Sequence, residues 1–345
     1  MSPLIGSHAT VTGGLAKGGL AYAEAVGAEV IQVFVSNPRG WAASAGDPEQ
    51  DAVIREAPIP VFIHAPYLIN LGAANEETAA KSARAVAHAL TRGRQIGARG
   101  VVVHTGSATG WPSPPPGADN SNKDNSNKDN SNTSGGDTGG DTGGDTGGDT
   151  GGDTGGGNSS NNGGSSNGGG GDTRKRALRQ VAELLLPVLA TLDADDPDLL
   201  LEPMAGQGQM LCARAADLGP YLDALDHHPK VGVCLDTCHL FAAGHDLTRP
   251  GGVAETLDEA ERAAGPGRVK LVHANDSQLG LGSRRDRHET IGKGEIGVEP
   301  FRELLAHPAL EGVPFVAETP GGKTGHARDI ALLKELREGC VSGGL

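Results

Sequence analysis

Six short apolar runs along the chain are each followed directly by a side chain of a type that binds metal ions. Continuous runs of β-branched and aliphatic residues, set between helical patterns, indicate parallel strands that are buried on both faces. The alanine-rich stretch 76–96, for example, predicts a helix between two of these runs. The residues that follow the six runs are His64, His104, Glu202, Asp236, His273 and Glu318.

Two further apolar segments, residues 4–7 and 30–35, bring the number of predicted strands to eight. Helical patterns lie at residues 15–26, 76–96, 173–192, 213–225, 253–264, 298–306 and 327–338. Strands and helices that alternate over this length predict an α/β fold, a single TIM-type (β/α)₈ barrel. An open, doubly wound sheet is the alternative.

Residues 113–172 interrupt this pattern after the fourth strand with a segment of Gly, Asn, Ser, Asp and Thr, including five Gly-Gly-Asp-Thr units. Such a composition cannot bury enough apolar surface to offset the entropy lost on ordering, so we expect a disordered insert. Without it about 285 residues remain, which fits one barrel domain over 1–345. Asp172 or Thr173 is the expected N-cap of the helix that follows.

The chain has a formal net charge of −14, and the nine Asp and two Lys of the insert account for half of it. No basic footprint remains in the rest of the chain, which counts against broad electrostatic binding to nucleic acid. The four cysteines form neither a zinc-ribbon spacing nor a disulfide framework, so a reducing, cytoplasmic location is expected. Neither a secretory leader nor a long apolar run occurs, so we expect no contact with a membrane.

In a closed barrel the carboxyl ends of the strands meet at one face, so the six strand-end side chains should converge on one pocket. Three more residues of ligand type, His239, Asp286 and His288, follow in the loops. Together these are five His and four carboxylates, the nitrogen and oxygen ligands that zinc accepts. Nine ligands exceed the needs of one tetrahedral ion, so the sequence predicts a metal cluster. Isolated hydrogen-bonded histidines are the alternative for any one position.

Three Zn²⁺ ions would outweigh the four carboxylates and leave the pocket locally positive, which suits cleavage of a phosphodiester. Water bound to such an ion has a pKa near 7 and can supply hydroxide, so no Ser or Cys nucleophile is needed. Glu202 and Glu318 are the predicted catalytic carboxylates. His8 ends the first strand and is expected to support the pocket rather than bind metal, and Cys234 and Cys238 are expected to be buried thiols.

The chain resembles the type IV apurinic/apyrimidinic endonucleases, deoxyribonucleases that repair DNA. The resemblance covers essentially the whole chain apart from the insert. The motifs that carry it lie at residues 5–8, 64–71, 103–107, 201–208, 231–239, 273–277, 282–288, 291–297 and 318–320.

The resemblance implies a site of three zinc ions, with Mn²⁺ as an alternative at one position. By resemblance, His64, His104 and Glu202 hold the first ion. Glu202 also bridges to a second ion, for which the other implied ligands are Asp236, His273 and Glu318. The implied ligands of the third ion are His239, Asp286 and His288.

The reaction implied by the resemblance is hydrolysis of the phosphodiester on the 5′ side of an abasic site, which leaves a 3′-hydroxyl, together with trimming of blocked 3′ ends. The implied partner is double-stranded DNA, bound by a monomer. Members of the family bend the duplex and flip out the damaged nucleotide, and Arg39 and Tyr67 lie where inserting side chains are expected. The loop around Arg39 is less rich in Gln than is typical, and the insert is a second departure from the family pattern.

Two other functions are open from the residues alone. A sugar isomerase or epimerase on the same barrel would use one divalent metal, but it would leave the remaining five ligand-type residues without a role. The residues that it would use are Glu202, Asp236, His273 and Glu318. A DNA-binding protein without catalytic activity is the second alternative, and it gives no reason for a complete ligand set.

Overall fold

Eight parallel strands close into a barrel in the computed structural model, which describes residues 2–112 and 168–342. The strands are β1 (Ile5–His8), β2 (Ile31–Val33), β3 (Val61–His64), β4 (Gly100–His104), β5 (Asp198–Glu202), β6 (Val231–Asp236), β7 (Val269–His273), β8 (Asp276–Ser277), β9 (His288–Glu289) and β10 (Phe315–Ala317). The order around the barrel is β1-β10-β7-β6-β5-β4-β3-β2, and a separate antiparallel pair, β8 and β9, lies in the loop after β7. The predicted barrel is confirmed.

Helices follow the strands. They are α1 (Leu15–Val26), α2 (Pro48–Glu56), α3 (Glu76–Ile96), α4 (Gly168–Leu189), α5 (Leu218–Ala224), α6 (Thr237–Ala242), α7 (Gly252–Ala264), α8 (Glu299–Ala306) and α9 (Gly322–Ser342). Two short 3₁₀ turns occur at Ala215–Asp217 and Pro308–Leu310. None of the helices in the described ranges is long and apolar enough to cross a membrane.

Side chains along each strand alternate between two apolar layers, which explains why the runs are continuously apolar. In β4, for example, Val101 and Val103 belong to the layer beneath the helices, whereas Val102 belongs to a small cluster that fills the barrel. That inner cluster consists of Val30, Phe62, Val102, Leu200, Cys234, Leu271 and Val316.

The inner cluster fixes where the candidate ligands point. Successive side chains of a strand point to opposite faces, so a residue two positions after an inner-cluster residue also points into the barrel, one layer nearer its carboxyl end. Each of the six strand-end residues stands at that position, as His64 does after Phe62 and Glu202 after Leu200. The strand pattern itself therefore delivers the six side chains to one place.

The predicted start of the helix after the insert is wrong. The helix α4 begins at Gly168, so Asp172 and Thr173 lie inside it and do not cap it. Glycine destabilises a helix by only about 1 kcal/mol relative to alanine, and packing of the helix that follows, through buried residues such as Val181 and Leu185, can override that preference. Residues 113–167, and with them most of the segment expected to be disordered, lie outside the described residues.

Two helices were not predicted. Helix α2 begins after Asp47, whose side chain accepts hydrogen bonds from the backbone N–H groups of Glu49 and Gln50, with Pro48 in the first turn. Helix α6 follows β6 directly, and the Asp236 carboxylate accepts the backbone N–H of His239 at 2.9 Å. Asp236 therefore ends a strand, caps a helix and belongs to the candidate ligand set at once.

Candidate metal centre at the carboxyl end of the barrel

Glu202 lies at the centre of the nine predicted ligands and is buried, with 1% of its surface exposed. Both of its carboxylate oxygens face histidine nitrogens. Oε2 lies 3.4 Å from Nε2 of His64 and 3.5 Å from Nε2 of His104. Oε1 lies 3.1 Å from Nδ1 of His273 and 3.3 Å from Nδ1 of His239. These five side chains come from β3, β4, β5, β7 and α6.

Two further groups adjoin Glu202. Nδ1 of His273 lies 3.4 Å from Oε2 of Glu318 and 3.8 Å from Oδ2 of Asp236. In the loop after β7, Asp286 lies 3.2 Å from Nε2 of His239 and 3.1 Å from Nε2 of His288. The structure thus brings all nine side chains together. They form three groups, in each of which one atom per residue lies within 4.8 Å of the others: His64, His104 and Glu202; Asp236, His273 and Glu318; and His239, Asp286 and His288.

Backbone carbonyls orient two of the histidine rings. Nδ1 of His64 lies 2.7 Å from the Ala65 carbonyl, and Nδ1 of His288 lies 3.3 Å from the Glu318 carbonyl. A carbonyl oxygen only accepts, so each of these Nδ1 atoms carries a proton, which leaves Nε2 as the nitrogen that can bind an ion. Such outer hydrogen bonds are typical of metal-binding histidines.

The centre contains buried atoms that no described group satisfies. Oε2 of Glu202 and Nε2 of His288 are both buried, and neither forms a hydrogen bond of good geometry, although Asp286 lies 3.1 Å from Nε2 of His288. A buried carboxylate oxygen and a buried imidazole nitrogen without partners are unfavourable by themselves, and a cation bound at each would satisfy them. The donors present are nitrogen and oxygen, which are the ligands of zinc. The residues therefore fit a set of divalent ions.

The ionisation of the centre also suits cations. Burial alone would raise the pKa of Glu202, but the neighbouring His273 and His104 outweigh it and hold the pKa well below its usual value. Burial lowers the pKa of His104 to about 4, so this ring is neutral at pH 7 and keeps a lone pair. Burial lowers the pKa of His288, but Asp236 and Asp286 outweigh it and raise the pKa to about 9. The negative charge of these carboxylates attracts a proton to His288, and a metal ion bound there would take the place of that proton.

The sequence is similar to those of known endonucleases. The family model described as xylose isomerase-like TIM barrel matches residues 20–128 and 158–336. A protein from Streptomyces avermitilis named "Probable endonuclease 4" is 49% identical over 97% of this chain and 90% of its own length. The protein of the same name from Streptomyces coelicolor is 48% identical over 97% of this chain and 95% of its own length. The chain belongs to the type IV apurinic/apyrimidinic endonuclease family.

Solved structures support the same family. The crystal structure of endonuclease IV from Thermus thermophilus superposes with a TM-score of 0.71 at 28% identity, covering 98% of this chain and all of that one. A D-tagatose 3-epimerase-like protein superposes with a TM-score of 0.63 at 14% identity, covering 99% of this chain and 100% of its own. At that identity the second likeness shows the fold alone. Membership of the endonuclease IV family makes the chain a nuclease of DNA repair.

The two residues that the endonuclease IV resemblance assigns to DNA contact lie on adjoining loops. The backbone N–H of Tyr67 donates to the Pro38 carbonyl at 2.9 Å, which ties the loop after β3 to the loop after β2. Tyr67 is 47% exposed, and its ring centroid lies 5.1 Å from that of His64. Arg39 is exposed, and its backbone N–H donates to the Asn37 side chain at 2.9 Å. Both loops border the metal centre, and the roles of the two side chains remain predictions.

Two polar residues of the centre were missed. Gln32 is fully buried and contacts both His273 and Glu318. Asn275 donates from Nδ2 to Asp236 at 2.7 Å and accepts the backbone N–H of Glu318 at 2.8 Å. The sequence does contain a signal for Gln32. It lies two residues after Val30 of the inner cluster, and each of the six strand-end residues likewise lies two residues after a member of that cluster.

The prediction of two buried thiols is confirmed, and the supporting role of His8 stays a prediction. Cys234 and Cys238 are buried free thiols, and burial raises the pKa of each to about 12. Cys238 also lies within reach of Asp236 and His288, so geometry alone would admit it as a ligand. His8 lies 3.4 Å from Oε1 of Glu318, at the border of the centre.

Proposed function

We propose that this chain is a zinc-dependent endonuclease of base excision repair, which hydrolyses the phosphodiester 5′ to an abasic site and leaves a 3′-hydroxyl and a 5′-deoxyribose phosphate. The same site would trim blocked 3′ ends. A single barrel domain carries the activity and acts as a monomer on double-stranded DNA. The observation that supports this most strongly is the convergence of eight other donor side chains on the buried Glu202.

Three ions fit the donor groups. His64, His104 and Glu202 would hold one, and His239, Asp286 and His288 would hold another. The central ion would share Glu202 with the first ion, and its other ligands would be Asp236, His273 and Glu318. At one of the three positions Mn²⁺ is an alternative to Zn²⁺. When bound, these ions supply the Lewis acidity that activates water and the positive charge that offsets charge on the phosphate.

The protein side chains then hold and orient the substrate. Tyr67 packs against the rings of His64 and His104 while nearly half of its surface stays exposed, so it can contact a nucleotide that enters the centre. Arg39 on the adjoining loop can reach the duplex. A nucleotide without a base is easier to extrude than a paired one, which favours abasic sites as substrate.

The loop after β7 carries local positive charge although the chain as a whole is acidic. Arg284, Arg285 and Arg287 are exposed and flank Asp286 in the loop after β7. Lysine and arginine contacts to phosphates supply most of the affinity of proteins for DNA. DNA can therefore bind at this face although the net charge of the chain is −14.

A sugar isomerase or epimerase is less well supported. The single metal ion of such an enzyme would use Glu202, Asp236, His273 and Glu318. That function gives no reason for Asp286 to lie against His239 and His288. The epimerase-like structures that share the fold are too distant in sequence to carry an activity.

A duplex with a single abasic analogue tests the proposal. We expect incision 5′ to the analogue, loss of incision with chelator, and recovery when zinc is restored. Glu202→Ala should abolish incision, whereas Glu295→Gln, an exposed carboxylate in a loop of the same face, should retain it. Chelator-resistant incision, or unchanged incision by Glu202→Ala, would contradict the proposal. Isomerisation of a sugar without incision of DNA would favour the epimerase.

A further inference from the structure

Gln32 contacts two of the proposed ligands from a strand, β2, that carries none of the nine. It is the second residue of β2 and is fully buried. Its Nε2 donates to Oε1 of Glu318 at 2.7 Å and lies 3.1 Å from Nδ1 of His8. Its Oε1 lies 2.9 Å from Nε2 of His273. One carboxamide thus contacts a carboxylate and two imidazoles.

The orientation of this carboxamide follows from its neighbours. The Glu318 carboxylate can only accept, so the amide nitrogen of Gln32 must face it, and the reversed amide would place two oxygens in contact. Oε1 therefore faces His273, and a carbonyl oxygen can only accept. Nε2 of His273 must carry a proton. The remaining proton of the amide is directed at Nδ1 of His8.

The consequence for His273 is a fixed tautomer. With Nε2 engaged as the donor to Gln32, Nδ1 is the nitrogen left for a metal ion, and it lies 3.1 Å from Glu202, 3.4 Å from Glu318 and 3.8 Å from Asp236. That is the nitrogen which a metal held by these carboxylates requires. The ring of His273 obtains this arrangement from a side-chain amide, whereas His64 and His288 obtain theirs from backbone carbonyls.

We propose that Gln32 is a positioning residue of the metal centre: it selects the tautomer of His273 and fixes Glu318, and so sets the affinity for the central ion. The inference rests on the proposed function, since it assumes that His273 and Glu318 bind metal. Because Gln32 contacts ligands of the central ion alone, its removal should act on that ion and spare the outer two. A general structural role predicts no such selectivity.

Graded chelation of zinc-loaded protein tests the proposal. We expect Gln32→Met, which has similar length but no amide donor or acceptor, to lose one ion at a chelator strength that wild type withstands, with affinity for that ion reduced about 10- to 100-fold. Gln180→Met is the matched control, because its amide also donates two hydrogen bonds, at 2.7 and 2.8 Å, to the carbonyls of Leu71 and Ala73. The control should keep every ion.

A second measurement does not depend on the variant's folding. Nitrogen NMR of wild type with labelled histidine, assigned with His273→Ala, should show the proton of His273 on Nε2 in the zinc-loaded protein. Gln32→Glu keeps an acceptor at this place and should keep the same tautomer. A proton on Nδ1 in wild type, or unchanged affinity for every ion in a folded Gln32→Met, would overturn the inference. Wild type that binds no zinc would instead overturn the proposed function itself.

Discussion

Oδ2 of Asp286 lies 3.2 Å from Nε2 of His239, which joins the loop after β7 to the first turn of α6. Asp286 is 42% exposed at its side chain, whereas His239 is 3% exposed. The pair therefore links the open rim of the barrel to its buried interior. The pair adds donors that do not lie at strand ends. These extra donors distinguish a centre for several ions from the single-metal site of a sugar epimerase.

The loop that follows His288 is held by one buried carboxylate. Asp276 accepts backbone N–H groups of Gly292 at 2.9 Å, Gly294 at 3.0 Å and Ile296 at 2.9 Å. A side chain at Gly294 would place its Cβ 2.3 Å from the Ser277 carbonyl oxygen. We expect Gly294→Ala to lower the free energy of unfolding in urea by about 1 to 3 kcal/mol.

Gly280→Ala is the control for this prediction, because a Cβ at Gly280 meets no atom within 4 Å. It should leave the unfolding free energy within about 0.5 kcal/mol of wild type. Equal stability of the two variants would show that the loop does not depend on the close approach of Gly294 to Ser277.

A pH dependence of stability is expected from His245. This ring is 5% exposed, and its Nε2 accepts the backbone N–H of Ala215 at 3.2 Å. Burial lowers the pKa of His245 in the folded protein below the usual 6.5. The unfolded chain then binds more protons below that pH, so acid destabilises the fold, by at most about 1.4 kcal/mol per pH unit for one group.

His245→Gln should remove this part of the dependence. We expect its unfolding free energy to fall less than that of wild type between about pH 7 and about pH 5. Chemical denaturation at each pH, with the zinc content checked, provides the measurement. Parallel curves for the two proteins would mean that protonation of His245 does not contribute.

Deletion of the insert should be tolerated. Trp111, just before it, donates from Nε1 to the Gly72 carbonyl at 2.8 Å, and Arg176, just after it, lies 4.8 Å above the Trp111 ring. The barrel therefore fixes both flanks independently of the insert. Removing residues 113–167 deletes eight Asp and two Lys, so we expect DNA affinity that is equal or higher in a filter-binding assay. Weaker binding or lower cleavage with intact zinc content would contradict this.

Arg39 should contribute to DNA binding without affecting the metals. Arg39→Ala is expected to weaken binding and to reduce the slope of log affinity against log salt by about 1, because one phosphate contact is lost. Arg262→Ala, an exposed arginine on α7, is the matched control and should change neither quantity. An unchanged salt dependence in Arg39→Ala would place this side chain outside the DNA interface.

Much of the fold and site could be predicted because burial dictates the sequence there. Strands buried on both faces must be continuously apolar, so a ligand at the end of such a run is conspicuous, as Glu202 is after three leucines. The helices Leu15–Val26 and Glu76–Ile96 have the predicted bounds, since glycine follows each of them and ends it in a left-handed conformation.

The features that were missed carry weaker signals. Gln32 and Asn275 are neutral amides, and only their hydrogen bonds to charged neighbours distinguish them from ordinary polar residues. Helix α6 is too short for a periodic pattern and depends on Asp236 as its cap. The start of α4 at Gly168 contradicts the local preference of glycine, which tertiary packing overrides.

The number of zinc ions bound per chain tests the three-ion centre most directly. We expect elemental analysis to find three ions in wild type and two in Asp286→Asn, because that change removes a charged donor from the group with His239 and His288. Asp258→Asn, an exposed carboxylate on α7, should keep three. One ion in wild type, or the same count in Asp286→Asn as in Asp258→Asn, would contradict the trinuclear centre.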